Sequence, residues 1–152
     1  MKKVIFGLFF LYCMLLAEIL LFARTPETAV PVRDYFLLYA NILPFETLIR
    51  YTSFFIKHRD IDSFLLFSSN VGGNFLLFMP MGFFLPVLFK NMRKVRFCFS
   101  VIFFTVFSVE LLQGFFRVGI LDIDDLAVNL AGARVGFGFF KATRKDDYVF
   151  LS

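Results

Sequence analysis

Glu110–Gly136, ELLQGFFRVGILDIDDLAVNLAGARVG, decides how the rest of the chain is read. It lies where hydropathy expects membrane, yet it carries Glu110, Gln113, Arg117, Asp122, Asp124, Asp125, Asn129 and Arg134. Ionisable groups at membrane depth are costly. They persist where they face a bundle interior or a water-filled cavity and have partners. Their spacing here is ordered. Glu110, Gln113 and Arg117 run i, i+3, i+7, one face of a helix, and Asp122, Asp125 and Asn129 repeat the interval. The pattern predicts two helix ends, each with a polar stripe, held together by a short turn.

Working outward, the chain of 152 residues is 59% hydrophobic, which shifts it from the soluble toward the membrane class. Its 26 phenylalanines supply lipid-compatible surface and name no ligand. The net charge of +4 comes from cations beside apolar segments, so topology explains it better than an anionic partner does. A nucleic-acid binder needs a basic stripe with interleaved aromatics on a soluble face, and none is present. Cys13 and Cys98 sit inside apolar runs, where thiols act as small hydrophobes. His58 is the only histidine, so no zinc-type cluster forms, and neither metal nor cofactor is expected.

Four spans are predicted. Val4 to Ala23 is twenty apolar residues after a Met-Lys-Lys start, about 30 Å of helix by the 1.5 Å rise. A cleaved signal peptide would have a shorter apolar region and a small-x-small site, so an anchored helix is favoured. Glu18 lies in its outer third. Residues 24–62 are charge-balanced, and the patchy stretch from Tyr35 to Ile56 reads as one or two interfacial amphipathic helices. The second span is about 70–89, where Asn70 and Asn74 share a face and Gly72 and Gly73 allow close approach. The third is about 95–116 and the fourth about 125–140. Lys2 and Lys3, the loop Lys90–Arg96 and the tail are basic, which places both termini in the cytoplasm and the polar stripes outside. Glu110, six residues before Phe116, then lies about 9 Å below that helix end. The expected fold is an all-α integral membrane protein. It is one domain over 1–145, a four-helix transmembrane bundle with an interfacial helical segment after the first span and a short cytoplasmic tail at 146–152.

The same residues carry a family resemblance. Asn41-Ile-Leu-Pro-Phe45, Asn70-Val-Gly-Gly-Asn74 through Pro80-Met-Gly82, Glu110-Leu-Leu-Gln113 with Arg117, Asp122-Ile-Asp-Asp125 and Asn129-Leu-Ala-Gly132 occur in this order. Together they resemble the VanZ-like family of small bacterial membrane proteins, over most of residues 41 to 140. The resemblance implies a multi-pass protein of the bacterial cell membrane linked to glycopeptide or lipoglycopeptide (teicoplanin-type) resistance, with no agreed reaction. Arg134 has no place in that pattern.

The stripes have two readings. One is an internal network locking the helices, Arg117 with Asp122 or Asp125 and Glu110 with Arg134 or Asn129. Such contacts are worth about 0.6–2 kcal/mol each. The other, favoured because intramembrane ionisable groups are functional candidates, is an outward polar pocket. It is made by Asn70, Asn74, Glu110, Gln113, Arg117, Asp122, Asp125 and Asn129. Arg117 with the paired asparagines suits an anionic head group. Glu110 and Asp125 are the candidates if proton transfer occurs, with burial driving their pKa values apart. The expected partner is a membrane lipid, a lipid-linked cell-wall component or a glycopeptide antibiotic. The readings in order are a ligand-binding envelope protein, a small intramembrane enzyme acting on a lipid-linked substrate, and a transporter subunit or assembly factor. Gly132 and Gly136 form a GxxxG pattern, for close packing or a homo-oligomer.

Overall fold

The computed structural model describes residues 2–22 and 25–143. The expected end of span one at Ala23, Arg24 and the tail charges Arg144, Lys145, Asp146 and Asp147 lie outside the described residues. Helix accounts for nearly everything, and the described residues contain no strand. The order is α1 (Lys2–Ala17) running into a π turn (Glu18–Phe22), α2 (Val32–Tyr39), α3 (Glu46–His58) and α4 (Ile61–Phe67). A second π turn (Ser68–Gly72) leads into α5 (Gly73–Leu88), followed by α6 (Val95–Phe116) and α7 (Ile123–Thr143).

Three helices are long and apolar enough to cross a membrane, Lys2–Phe22, Ile61–Leu88 and Val95–Phe116. The last has the bounds the sequence predicts. The middle one starts nine residues before the expected Asn70. Asp60 caps it by accepting the Ser63 N–H at 2.7 Å, and the helix passes through the Ser68–Gly72 segment as a π turn instead of breaking there. α7 is as long, but Asp124, Asp125, Arg134 and Lys141 keep it below the apolarity of the other three. The uncertain stretch 35–56 resolves into the end of α2, a loop and most of α3.

The core joins Leu16 of α1, Phe78, Met81 and Leu85 of α5, Ile102 and Val106 of α6, and Phe137 and Phe140 of α7. Lipid tails are as apolar as leucine, so helix association in a membrane needs close van der Waals contact rather than hydrophobic expulsion. The α5–α7 pair supplies it. A Cβ on Gly132 would collide with the Phe75 carbonyl, one on Gly136 with the Met79 carbonyl, and one on Gly82 with the Ala133 carbonyl. The GxxxG pattern is thus accounted for within one chain. Gly72 and Gly73, expected to admit a close neighbour, have nothing within 4 Å of a would-be Cβ. Among the described residues no helix takes up that room, because the π turn carries them past the packed seam; room for a ligand remains.

The two ends of the bundle differ. At one, the last turns of α1 and α6 meet the first turns of α5 and α7, with α2 and α3 beside them. Gln113 donates to the Leu20 carbonyl there at 3.0 Å. At the other, Lys2 and Lys3 share a groove with Leu88 and Phe89, next to the basic loop.

Candidate functional site

The site forms where two helix N-termini meet. The loop before α3 runs alongside the strand-like residues before α7. Asn41 N–H donates to the Leu121 carbonyl at 2.8 Å, and Ile123 N–H returns to the Asn41 carbonyl at 3.0 Å. This sets Asp122 as the cap of its own helix, accepting the Asp124 N–H at 2.8 Å. The same carboxylate accepts Thr47 Oγ1–H at 2.6 Å and both its oxygens lie 3.3 Å from Asn41 Nδ2. Asp124 caps the other helix in trans. Its oxygens accept the Phe45 N–H at 2.6 Å and the Leu48 N–H at 3.1 Å. Phe45 sits at the α3 N-cap with φ 69°, and its own side chain makes no cap hydrogen bond. The two carboxylates thus satisfy both positive helix ends.

Above this junction is a cavity of about 240 Å³. It is lined by Thr47, Arg50 and Tyr51 of α3, Asn70 and Asn74, Gln113, Gly119, Ile120, Asp122 and Asp125. Five of the eight residues expected from the sequence line it together, Asn70, Asn74, Gln113, Asp122 and Asp125. The asparagines come from the π turn and the first turn of α5, and Asn70 Nδ2 donates to the Leu66 carbonyl at 2.8 Å.

The other three are placed elsewhere. Arg117 ends α6 in a left-handed conformation, φ 57°, which swings it off the Glu110–Gln113 face. Its guanidinium donates to the carbonyls of Val30 at 2.7 Å and Thr28 at 3.4 Å, so it pins the loop before α2. Tyr35 is buried beside it. Burial pushes the phenol upward, Glu27 and Tyr39 add to that, and Arg117 opposes them. Glu110, 3% exposed, accepts the Asp122 N–H at 3.3 Å and lines a separate, mostly apolar cavity of about 130 Å³ with Phe107, Ile123 and Leu126. Asn129 is 2% exposed, and its Oδ1 has no hydrogen-bond partner among the described residues. Arg134 lies on the exposed side of α7, turned from the face that buries Ala133. Glu18 is also exposed and lines neither cavity.

Sequence reasoning missed the α3 wall. Thr47, Arg50 and Tyr51 stand at i, i+3 and i+4, one helix face, and that spacing was the available signal. Arg50, not Arg117, is the cation of the cavity. It donates to Thr47 Oγ1 at 3.4 Å, and its guanidinium carbon is 5.6 Å from the Tyr51 ring centroid. Asp124, named in the sequence only among the ionisable residues of its stretch, is likewise a cap of α3.

Chemically, the cavity offers amide, hydroxyl, guanidinium and carboxylate groups in one enclosure, which suits recognition of a polar group. Among the described residues no group of three or more His, Cys, Asp or Glu side chains is arranged to hold a metal ion. No curated protein and no solved structure matches this chain. A family profile described as VanZ/LLP1 matches residues 9–144, which takes in most of the first span, all of the later helices, the loop before α3 and every wall of the cavity. On that match the chain belongs to the VanZ/LLP1 family, as a VanZ-like membrane protein.

Proposed function

We propose that this protein is a four-span envelope protein of the bacterial membrane, both termini cytoplasmic, whose outer-end cavity binds the polar head of a lipid-linked or amphiphilic ligand. In this role it contributes to glycopeptide or lipoglycopeptide resistance. One observation carries the reading: four separate elements, α3, the start of α5, the end of α6 and the start of α7, each contribute polar side chains to the same cavity. In this topology α7 is the fourth span, and α2 and α3 lie in the outer interface. Exposed Ile49 and Ile56 on α3 then face lipid, while Thr47, Arg50 and Tyr51 face the cavity.

The enzyme reading is weaker. A carboxylate pair acting on one substrate would have to share a cavity, whereas Glu110 and Asp125 line different ones. Susceptibility to teicoplanin in a sensitive Gram-positive host tests both, with membrane levels matched. Wild type is expected to raise tolerance, Arg50→Gln and Asp125→Asn to abolish the gain, and Glu110→Gln to keep part of it. Complete loss in Glu110→Gln alone would favour proton transfer. Retention in all three variants would reduce the cavity to structure.

A further inference from the structure

The end of the bundle away from the polar cavity holds more than a charge bias. A groove of about 460 Å³ opens between the first turns of α1 and the last turn of α5, lined by Lys2, Lys3, Phe6, Leu88 and Phe89. Consecutive helical residues diverge by about 100°, yet both lysines line this one groove. Each brings three N–H donors and no acceptor. Arg93 is held at the same end of α5, where its Nε donates to the Pro86 carbonyl at 3.4 Å. Lys90, Lys94 and Arg96 adjoin it in the loop and the first turn of α6, and Lys141 stands in the last turn of α7.

No described acid answers these cations. Along the four long helices the nearest are Glu18, Asp62, Glu110 and Asp125. Each lies fourteen or more residues from the groove cations of its own helix or the loop beside it, about 20 Å or more by the helical rise. That is twice the screening length of about 10 Å at 0.1 M salt. Orienting a span requires cations but no groove, so the groove calls for a separate account.

Its other walls are apolar. Leu88 is buried, while Phe6 and Phe89 are exposed. Phe6 and Phe10 stand at i and i+4 on α1, both exposed, so one apolar track leads from the lysines along the span. Gly7, one turn beyond Lys3, has nothing within 4 Å of a would-be Cβ, which leaves that track open. Two ammonium groups above an apolar track match a ligand with an anionic head and a hydrocarbon tail.

We propose that this groove binds an anionic phospholipid of the surrounding bilayer, its phosphate held by Lys2 and Lys3 and an acyl chain laid along Phe6 and Phe10. The inference rests on the chain spanning a membrane and not on the cavity at the opposite end, so either can fail alone.

Native mass spectrometry of the full-length protein, released from micelles holding equal phosphatidylglycerol and phosphatidylcholine of the same chain length, tests it. Wild type should retain phosphatidylglycerol about tenfold or more in preference to phosphatidylcholine. Lys2→Gln with Lys3→Gln should abolish that preference. Lys94→Gln with Arg96→Gln removes the same charge from outside the groove and should leave it. Equal loss in the two pairs would reduce the effect to general surface charge and overturn the inference. So would inorganic phosphate displacing the lipid at equal concentration, because the chain would then contribute nothing. Should the lysine variant fail to fold, wild type alone decides. Phosphatidylglycerol with a photoreactive acyl chain should label Phe6, Phe10, Leu88 or Phe89, and labelling confined to other helices overturns the site.

Discussion

Along residues 73–88, α5 meets α7 through backbone, with glycines on both helices set against carbonyl groups of the other. At the cavity end of the bundle, α3 meets α7 through side chains, with Asp122 and Asp124 reaching Thr47, Phe45 and Leu48. The first contact has no room for an added atom. The second is a set of hydrogen bonds whose members exchange for isosteres at modest cost. A membrane bundle lacks a hydrophobic drive between its helices, so the part that tolerates least change is the glycine seam. The adjustable part is the polar layer, where a binding site can be tuned without risking the fold.

The largest expected effect breaks the seam. Gly136→Leu forces a side chain into the Met79 carbonyl, and neither backbone has a rotamer to yield. Overpacking costs about 1–3 kcal/mol and occasionally more, and a leucine against backbone belongs at the upper end, so extracted protein should lose its monodisperse peak. Gly138→Ala sharpens the contrast. Nothing lies within 4 Å of its would-be Cβ, and the change should stabilise by up to about 1 kcal/mol through helix propensity. Equal stability of the two variants would mean that the seam does not hold the bundle.

A smaller effect is expected in the polar layer. Asp124→Ala removes the acceptor for the Phe45 and Leu48 N–H groups. Loss of a helix cap costs about 0.5–2 kcal/mol. Hydrogen exchange should quicken at the start of α3 and stay unchanged along α5 and α7. Uniform quickening would show that the two regions are one cooperative unit.

The smallest effect is at Asp60, the exposed cap of α4. Hydrogen bonds from the Ser63 N–H and hydroxyl hold its carboxyl below the ordinary value of 3.8. A carboxyl depressed in the fold stabilises above its unfolded value, and that contribution fades as pH falls through the folded value. Protection at Ser63 and Phe64, taken relative to the intrinsic exchange rate at each pH, should therefore fall below pH 4 in wild type and stay constant in Asp60→Asn. A wild-type profile matching the variant would sever the cap from the stability of α4.

Hydropathy made the membrane class and the 95–116 helix legible, because that run has no charge between Arg96 and Glu110. The polar positions on α5, α6 and α7 were legible from their helical spacing. Three things were not. The start of the second span was hidden because Asn70, Gly72 and Gly73 look like a helix beginning, while the signal that mattered was Asp60 with Ser63. Arg117 left its stripe because a periodicity argument assumes helical φ, and residue 117 does not have it. Arg50 was hidden because a balanced amphipathic segment does not reveal which interior its polar face covers.

The π turn at Ser68–Gly72 has a further meaning, best put as arithmetic. A π turn holds one residue more than an α turn, so the chain carries a spare residue between α4 and α5. Each helical residue is worth about 100° of rotation. Without the spare, α4 would sit about 100° out of phase with α5, and Ser63, now fully buried, would turn away from its packing. The asparagines of the cavity wall and the covering pair α3–α4 therefore share one register. An insertion or deletion at this single point would change the cavity wall more than most substitutions within it.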